Sequence, residues 1–273
     1  MSESKTEVAP VRDASTVMLV RDSAAGPEVF LQRRVRAMAF AAGMTVFPGG
    51  GVDPSDATAD IAWAGPEPRW WGEQFGIEAG RAQALVCAAV RETFEECGVL
   101  LAGPTPDSVV CDTSGYAEAR RRIEKRELSF PQFLADANLV LRADLLRPWD
   151  NWVTPTVEQR RYDTRFFVAL LPTGQEADGA TSEAAAARWS TPADALDRWK
   201  AEEDILMPPT WTQLTSLGRF DSTAAMLAAT PAITPIQPTP VFADGRIIRL
   251  EFPNWEQYMA DLPGGILGGR KPN

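Results

Sequence analysis

Arg91-Glu92-Thr93-Phe94-Glu95-Glu96-Cys97-Gly98-Val99 is the stretch on which the reading of this chain turns. Apolar periodicity from about Gly80 to Cys97 predicts a helix, and Gly98 is the residue type that ends one. Glu92, Glu95 and Glu96 are related by i, i+3 and i+4, so on that helix they share a face. Val86, Val90 and Phe94 fall roughly opposite, so the helix can bury an apolar stripe while turning three carboxylates toward a cleft. Carboxylates this close repel one another and ionise fully only beside cations. Mg²⁺ or Mn²⁺ suits such a set, because these ions take oxygen ligands, bridge to phosphate oxygens and activate water. A solvated acidic helix face is the ordinary alternative use of such a charge run.

The rest of the composition narrows the chemistry. The chain has 273 residues, 45% of them hydrophobic and 23% charged, the make-up of a folded globular protein. It contains no histidine, which removes imidazole catalysis, Ser-His-Asp and Cys-His arrangements and histidine-bearing zinc sites. Three cysteines without a CxxC pair suggest neither a disulfide framework nor a structural zinc, and fit a reducing, cytoplasmic location. A formal charge of −10 argues against bulk nucleic-acid binding, so an anionic substrate would need local positive groups. Neither a membrane span nor a secretory signal is expected from the sequence.

Working outward from the central helix, Ser15 to Arg21 and Val29 to Arg33 read as a strand pair around a DSAAGP turn. Pro48-Gly49-Gly50-Gly51 is a loop whose backbone a ligand could approach closely. Tyr116 to Asn138 reads as two short helices broken near Pro131, and Trp149 to Val153 and Thr164 to Leu171 as strands. Helices are expected at Pro192 to Lys200 and Pro209 to Leu217, and a late hairpin at Thr239 to Phe242 and Arg246 to Phe252. The basic run Arg120-Arg121-Arg122 reads as a solvated face. The tryptophans and Cys87 and Cys97 read as packing residues, with base stacking by Trp63, Trp70, Trp71, Trp149 or Trp152 the other option. The expected organisation is a flexible tail over 1–13, one domain over 14–262 with insertions at about 57–82 and 104–140, and a loose tail over 263–273.

Residues 91–99 resemble the second half of the Nudix box, G-x5-E-x7-R-E-U-x-E-E-x-G-U. Phe47-Pro48-Gly49-Gly50 resembles its beginning, with Asp56 where the box has Glu and thirty-four residues, 57–90, where it has seven. Trp152-Val153-Thr154-Pro155, Arg161 to Phe167 and Pro208-Pro209-Thr210 are similar to the coenzyme A diphosphatase-like branch, which includes a peroxisomal enzyme of mammals. Arg34, Gly43 and Phe47 match the upstream coenzyme A signature, whereas its second Arg falls on Ala39. The resemblance implies an α/β Nudix fold, a mixed sheet sandwiched between helices, and a Mg²⁺- or Mn²⁺-dependent hydrolase that cuts coenzyme A or acyl-coenzyme A at the diphosphate. A pyrophosphatase of ADP-ribose, NADH or nucleoside triphosphates and a non-catalytic nucleotide-binding module are the alternatives. The same resemblance implies Glu92 and Glu96 as metal ligands, Glu95 as a further ligand or the group that orients water, and the Gly49 carbonyl in the metal shell. Arg91 would hold the glutamates, Arg33, Arg34, Phe47 and Gly50 would meet substrate, and Asp53, Asp56 and Glu183 are accessory candidates. A small-molecule diphosphate is the expected partner, and a homodimer is possible by analogy.

Overall fold

The computed structural model describes residues 8–35, 41–58 and 60–263. The chain opens with β1 (Val11–Ser23), β2 (Gly26–Arg34), β3 (Thr45–Val46), β4 (Gly49–Gly51) and α1 (Pro54–Thr58). It continues through β5 (Trp63–Ala64), α2 (Pro68–Phe75), α3 (Ala79–Cys97), β6 (Ala102–Gly103), α4 (Ala117–Glu124), α5 (Phe130–Asp136) and β7 (Val140–Arg142). β8 (Leu146–Val153), β9 (Arg161–Leu170), β10 (Ala184–Ser190), α6 (Pro192–Lys200), α7 (Pro208–Leu217) and α8 (Thr223–Ala228) follow, then β11 (Thr239–Ala243), β12 (Arg246–Glu251) and α9 (Trp255–Asp261).

The main sheet runs β10-β2-β1-β9-β8, with β3 beside β2 and β4 beside β1. β1 and β9 are parallel over ten residue pairs and the other pairings are antiparallel, so the sheet is mixed. Alternation sends Val17, Leu19, Phe30, Phe167 and Ala169 to one face, against Val86, Val90 and Phe94 of α3. Met18, Val20, Leu31, Phe166 and Val168 go to the other face, against Trp199 of α6 and Trp211 and Leu214 of α7. Val17 to Val20 are completely buried, the signature of a central strand covered by helices on both sides. Full burial of a side chain such as Phe94 is worth about 1.5–3 kcal/mol, and this anchors the helix that carries the carboxylates.

β1 pairs with β2 only over Val20 to Ser23; earlier in β1 its partner is β4, through Ala14 to Thr16. The sheet therefore parts between β1 and β2, and the glycine strand β4 occupies the opening beside α3. The segment between Asp56 and Arg91 folds back rather than spreading the site apart: α2 lies along α3, and Trp71 and Phe75 insert into the core beside Phe167. Trp149 and Trp152 are also buried, Trp63 is half-buried, and Trp70 is exposed.

One reading of the sequence is corrected and one strand is added. The first strand starts at Val11, so residues 11–13 belong to the sheet through their register with Arg161 to Asp163. β10 is not among the strands expected from the sequence: Ala184 to Ala187 carry little strand propensity, and pairing along β2 supplies the order instead. Residues 1–7, 36–40, 59 and 264–273, Ala39 among them, lie outside the described residues. Among the described residues no helix is long and apolar enough to cross a membrane.

Candidate active site

The C-terminal half of α3 ends at Gly98, which adopts φ +73° and returns its N–H to the Phe94 carbonyl. Glu92, Glu95 and Glu96 all face one cavity of about 1030 Å³. Arg91 is 7% exposed and is the hub that holds Glu92 and Glu95. Its Nη1 donates to Glu92 Oε1 at 2.7 Å and Glu95 Oε1 at 2.9 Å, and its Nη2 donates to the Gly51 carbonyl at 2.7 Å. The remaining N–H groups grip Asp56, Nε at 3.1 Å from Oδ1 and Nη2 at 3.0 Å from Oδ2. Asp56, with no exposed surface, takes the far side of the guanidinium across the long insertion. Asp53 lies on the cavity wall, its own carboxylate capping Ser55 at 2.9 Å.

Two glycines admit the carboxylates. The Gly49 N–H donates to Glu96 Oε2 at 2.8 Å, and a side chain at Gly49 would collide with Ser15 and Thr16 of β1. A Cβ at Gly50 would stand 2.6 Å from Glu92 Oε1. What yields there is the Glu92 carboxylate, the mobile end of a side chain, so Gly50→Ala should lower turnover by about 10-fold or more through displacement of Glu92. A melting temperature close to the parent's should accompany the loss; unchanged turnover would show that Glu92 needs no fixed place.

Arg34 and Arg33 diverge because adjacent strand residues face opposite sides. Arg34 Nη2 pairs with Glu183 Oε2 at 2.8 Å, and its Nη1 lies 3.9 Å from Glu96 Oε1. Arg33 is exposed and is not among the residues that line the cavity. Glu183, which as an isolated loop charge carried little signal, stands on the wall with Arg34 and Glu96. Phe47 is buried and also lines the cavity. Arg120 is not part of a solvated face: it is 9% exposed, donates to the Glu95 carbonyl at 3.0 Å and forks onto Asp178 at 2.8 and 2.9 Å. Its i, i+4 relation to Glu124 was the available sign of a shared task.

Burial raises the pKa of Glu92 and Glu95 against the pull of Arg91, and Glu95 adds repulsion at Glu92. Glu96 is raised as well, first by burial and then by Glu92, while the Gly49 N–H and Arg34 act the other way. Burial also opposes the Arg91 charge, yet Glu92, Asp56 and Glu95 outweigh it and hold the guanidinium firmly protonated. Among the described residues no three carboxylate or thiol groups are already gathered as a metal cage. Arg91 draws Glu92 and Glu95 to itself, and Gly49 takes an oxygen of Glu96. The donor set nevertheless fits a hard divalent cation: its side chains are carboxylates, the buried Glu96 repelled by the half-buried Glu92, on a wall where carboxylates outnumber guanidinium groups.

The opposite wall brings together the later sequence motifs. Trp152 to Pro155 of β8 and its following loop, Tyr162, Thr164 and Phe166 of β9, and Pro208 to Thr210 of α7 line the same cavity. The NUDT19 Nudix domain family matches residues 72–219, more than half of the chain. The chain belongs to the Nudix family. Within it, the acyl-coenzyme A diphosphatase NUDT19 of Gallus gallus is 31% identical, over 71% of this chain and 61% of that protein. The Homo sapiens acyl-coenzyme A diphosphatase NUDT19 is 27% identical, over 73% of this chain and 62% of its own length. The chain thus spans about three fifths of these Nudix relatives. A crystal structure of a Nudix hydrolase from Alicyclobacillus acidocaldarius superposes with a TM-score of 0.68 at 28% identity, covering 83% of this chain and 99% of that one.

Proposed function

We propose that this Nudix chain is a divalent-cation-dependent diphosphatase that splits coenzyme A or acyl-coenzyme A into a phosphopantetheine species and adenosine 3′,5′-bisphosphate. One observation carries the reading: the carboxylate face of α3 and residues of the branch motifs, 152–155, Tyr162, Thr164, Phe166 and 208–210, line a single cavity of about 1030 Å³. That is the upper end of the usual range for small-molecule sites, ample for a substrate with a long arm on each side of its diphosphate. The names of the chicken and human relatives point to the same substrate class. The acidic wall and the net charge of −10 favour a metal-neutralised small molecule over nucleic acid.

Glu92 and Glu96 would hold the cation, Mg²⁺ or Mn²⁺, with Glu95 and the Gly49 carbonyl as further ligands. When bound, such an ion neutralises the diphosphate and makes water a stronger acid. Arg91, itself held by Asp56, keeps Glu92 and Glu95 in place, the Gly49 N–H holds Glu96, and Arg34 offers a guanidinium to a phosphate oxygen. Hydrolysis joins the water oxygen to one phosphorus and breaks its bond to the bridging oxygen, which leaves with the other fragment. Glu183, on the wall beside Arg34 and Glu96, is the carboxylate we assign to orient that water and accept its proton, with Glu95 the other carboxylate that could do so. Phe47 and Gly50 shape the wall beside the diphosphate.

The test is turnover of coenzyme A, acetyl-coenzyme A, ADP-ribose, NADH and nucleoside triphosphates with Mg²⁺ and Mn²⁺, with product masses identifying the bond cut. Coenzyme A compounds should be turned over best, with adenosine 3′,5′-bisphosphate as a product. Preference for ADP-ribose or a triphosphate would move the substrate assignment, and hydrolysis of none would remove the enzymatic reading.

A further inference from the structure

The loop that delivers Glu183 has no regular structure of its own, yet it is pinned at every step. Gln175 bonds the backbone of Leu100, and the Asp178 N–H donates to the Cys97 carbonyl at 3.0 Å. Arg120 of α4 forks onto Asp178 while donating to the Glu95 carbonyl, so it ties the loop to the turn of α3 that carries the glutamates. Gly98 keeps this place open, because a Cβ there would stand 2.7 Å from Arg120 Nη1. One turn along α4, Glu124 Oε1 accepts from the Ser182 N–H at 2.8 Å, Ser182 Oγ at 2.7 Å and Thr181 Oγ1 at 3.2 Å. The next residue is Glu183, whose carbonyl accepts from the Val35 N–H at 2.9 Å and whose carboxylate meets Arg34. A bulge between Ala184 and Ala186 then resets the register of β10, the kind of irregularity that re-aims a side chain beside a site.

We propose that α4, which lies outside the Nudix box, is a clamp in which Arg120 and Glu124 position Glu183 against Arg34 and Glu96. Glu124 is the positioning residue at the near end: it acts through the 181–182 backbone and hydroxyls rather than on substrate. The role of Glu183 rests on the function proposed above; the clamp itself is a statement about the loop. The arrangement explains why one face of an arginine-rich helix is spent on a loop instead of on water. It also makes the site depend on an insertion that packs against it.

The experiment compares Glu124→Ala, Glu124→Gln, Glu183→Gln and the double variant Glu124→Ala/Glu183→Gln, using acetyl-coenzyme A with excess Mg²⁺ as the probe. Amide hydrogen exchange across residues 178–183 is measured alongside. Loss of the clamp should lower kcat by about 10- to 100-fold with little change in KM, the scale of a misplaced catalytic group. Glu124→Gln retains an accepting oxygen and should recover most of that loss. In the Glu183→Gln background, Glu124→Ala should cost nothing further, since both changes act through one carboxylate. Exchange at 181–183 should quicken in Glu124→Ala at an unchanged melting temperature. Equal loss of kcat in both backgrounds, or unaltered exchange, overturns the clamp. Normal kcat in Glu183→Gln, or no hydrolysis by the parent, instead refutes the catalytic reading, and the exchange measurement then decides the clamp alone.

Discussion

Glu96→Gln should reduce kcat/KM for coenzyme A hydrolysis by about 10³-fold while leaving the fold intact, within the range for removing a charged catalytic group. The substitution is close to isosteric, and the glutamine oxygen can still accept the Gly49 N–H that Glu96 accepts at 2.8 Å. What disappears is a negative charge at 4% exposure whose nearest cation, Arg34, is 3.9 Å away. Burial and the neighbouring Glu92 already disfavour that charge, so the metal-free variant should melt no lower than the parent. Titration with Mn²⁺ should show weakened binding alongside the loss of turnover. Activity within tenfold of the parent would place the chemistry elsewhere in the cavity, and a lowered melting temperature would mean that the glutamate is structural.

The carboxylate face was legible because helical spacing is a local property. Three glutamates at i, i+3 and i+4 must share a side of any helix that forms, and the apolar stripe of Val86, Val90 and Phe94 fixes which side is buried. Long-range consequences were harder to read. Nothing in the thirty-four residues from 57 to 90 announces that Asp56 returns to Arg91, because that contact is set by α2 packing Trp71 and Phe75 into the core. Arg33 and Arg34 looked equivalent until strand alternation placed only Arg34 beside Glu96. Arg120 looked solvated because its partners are the backbone of another helix and an aspartate fifty-eight residues away. β10 was hidden by alanines whose order comes from a neighbour rather than from their own preference.

Arg91→Ala should be the most damaging single change to stability, lowering the unfolding free energy by about 3–5 kcal/mol as well as abolishing turnover. The magnitude follows from what the guanidinium leaves behind. Asp56 has no exposed surface, and without Arg91 its carboxylate keeps, among the described residues, the Asp53 N–H at 2.8 Å and the Cys87 thiol at 3.5 Å. Glu92 and Glu95 lose their shared donor at the same time. At roughly 2–4 °C per kcal/mol for a chain of this size, the melting temperature should fall by about 10 °C. Arg91→Lys should recover little, because one ammonium cannot replace a planar fork that reaches Asp56, Glu92, Glu95 and the Gly51 carbonyl together. The double variant Arg91→Ala/Asp56→Ala removes the stranded charge, so it should regain part of the melting temperature and none of the activity. An Arg91→Ala protein that melts with the parent would show that water or a cation already satisfies Asp56. In that case the guanidinium aligns the glutamates without holding the insertion to the helix.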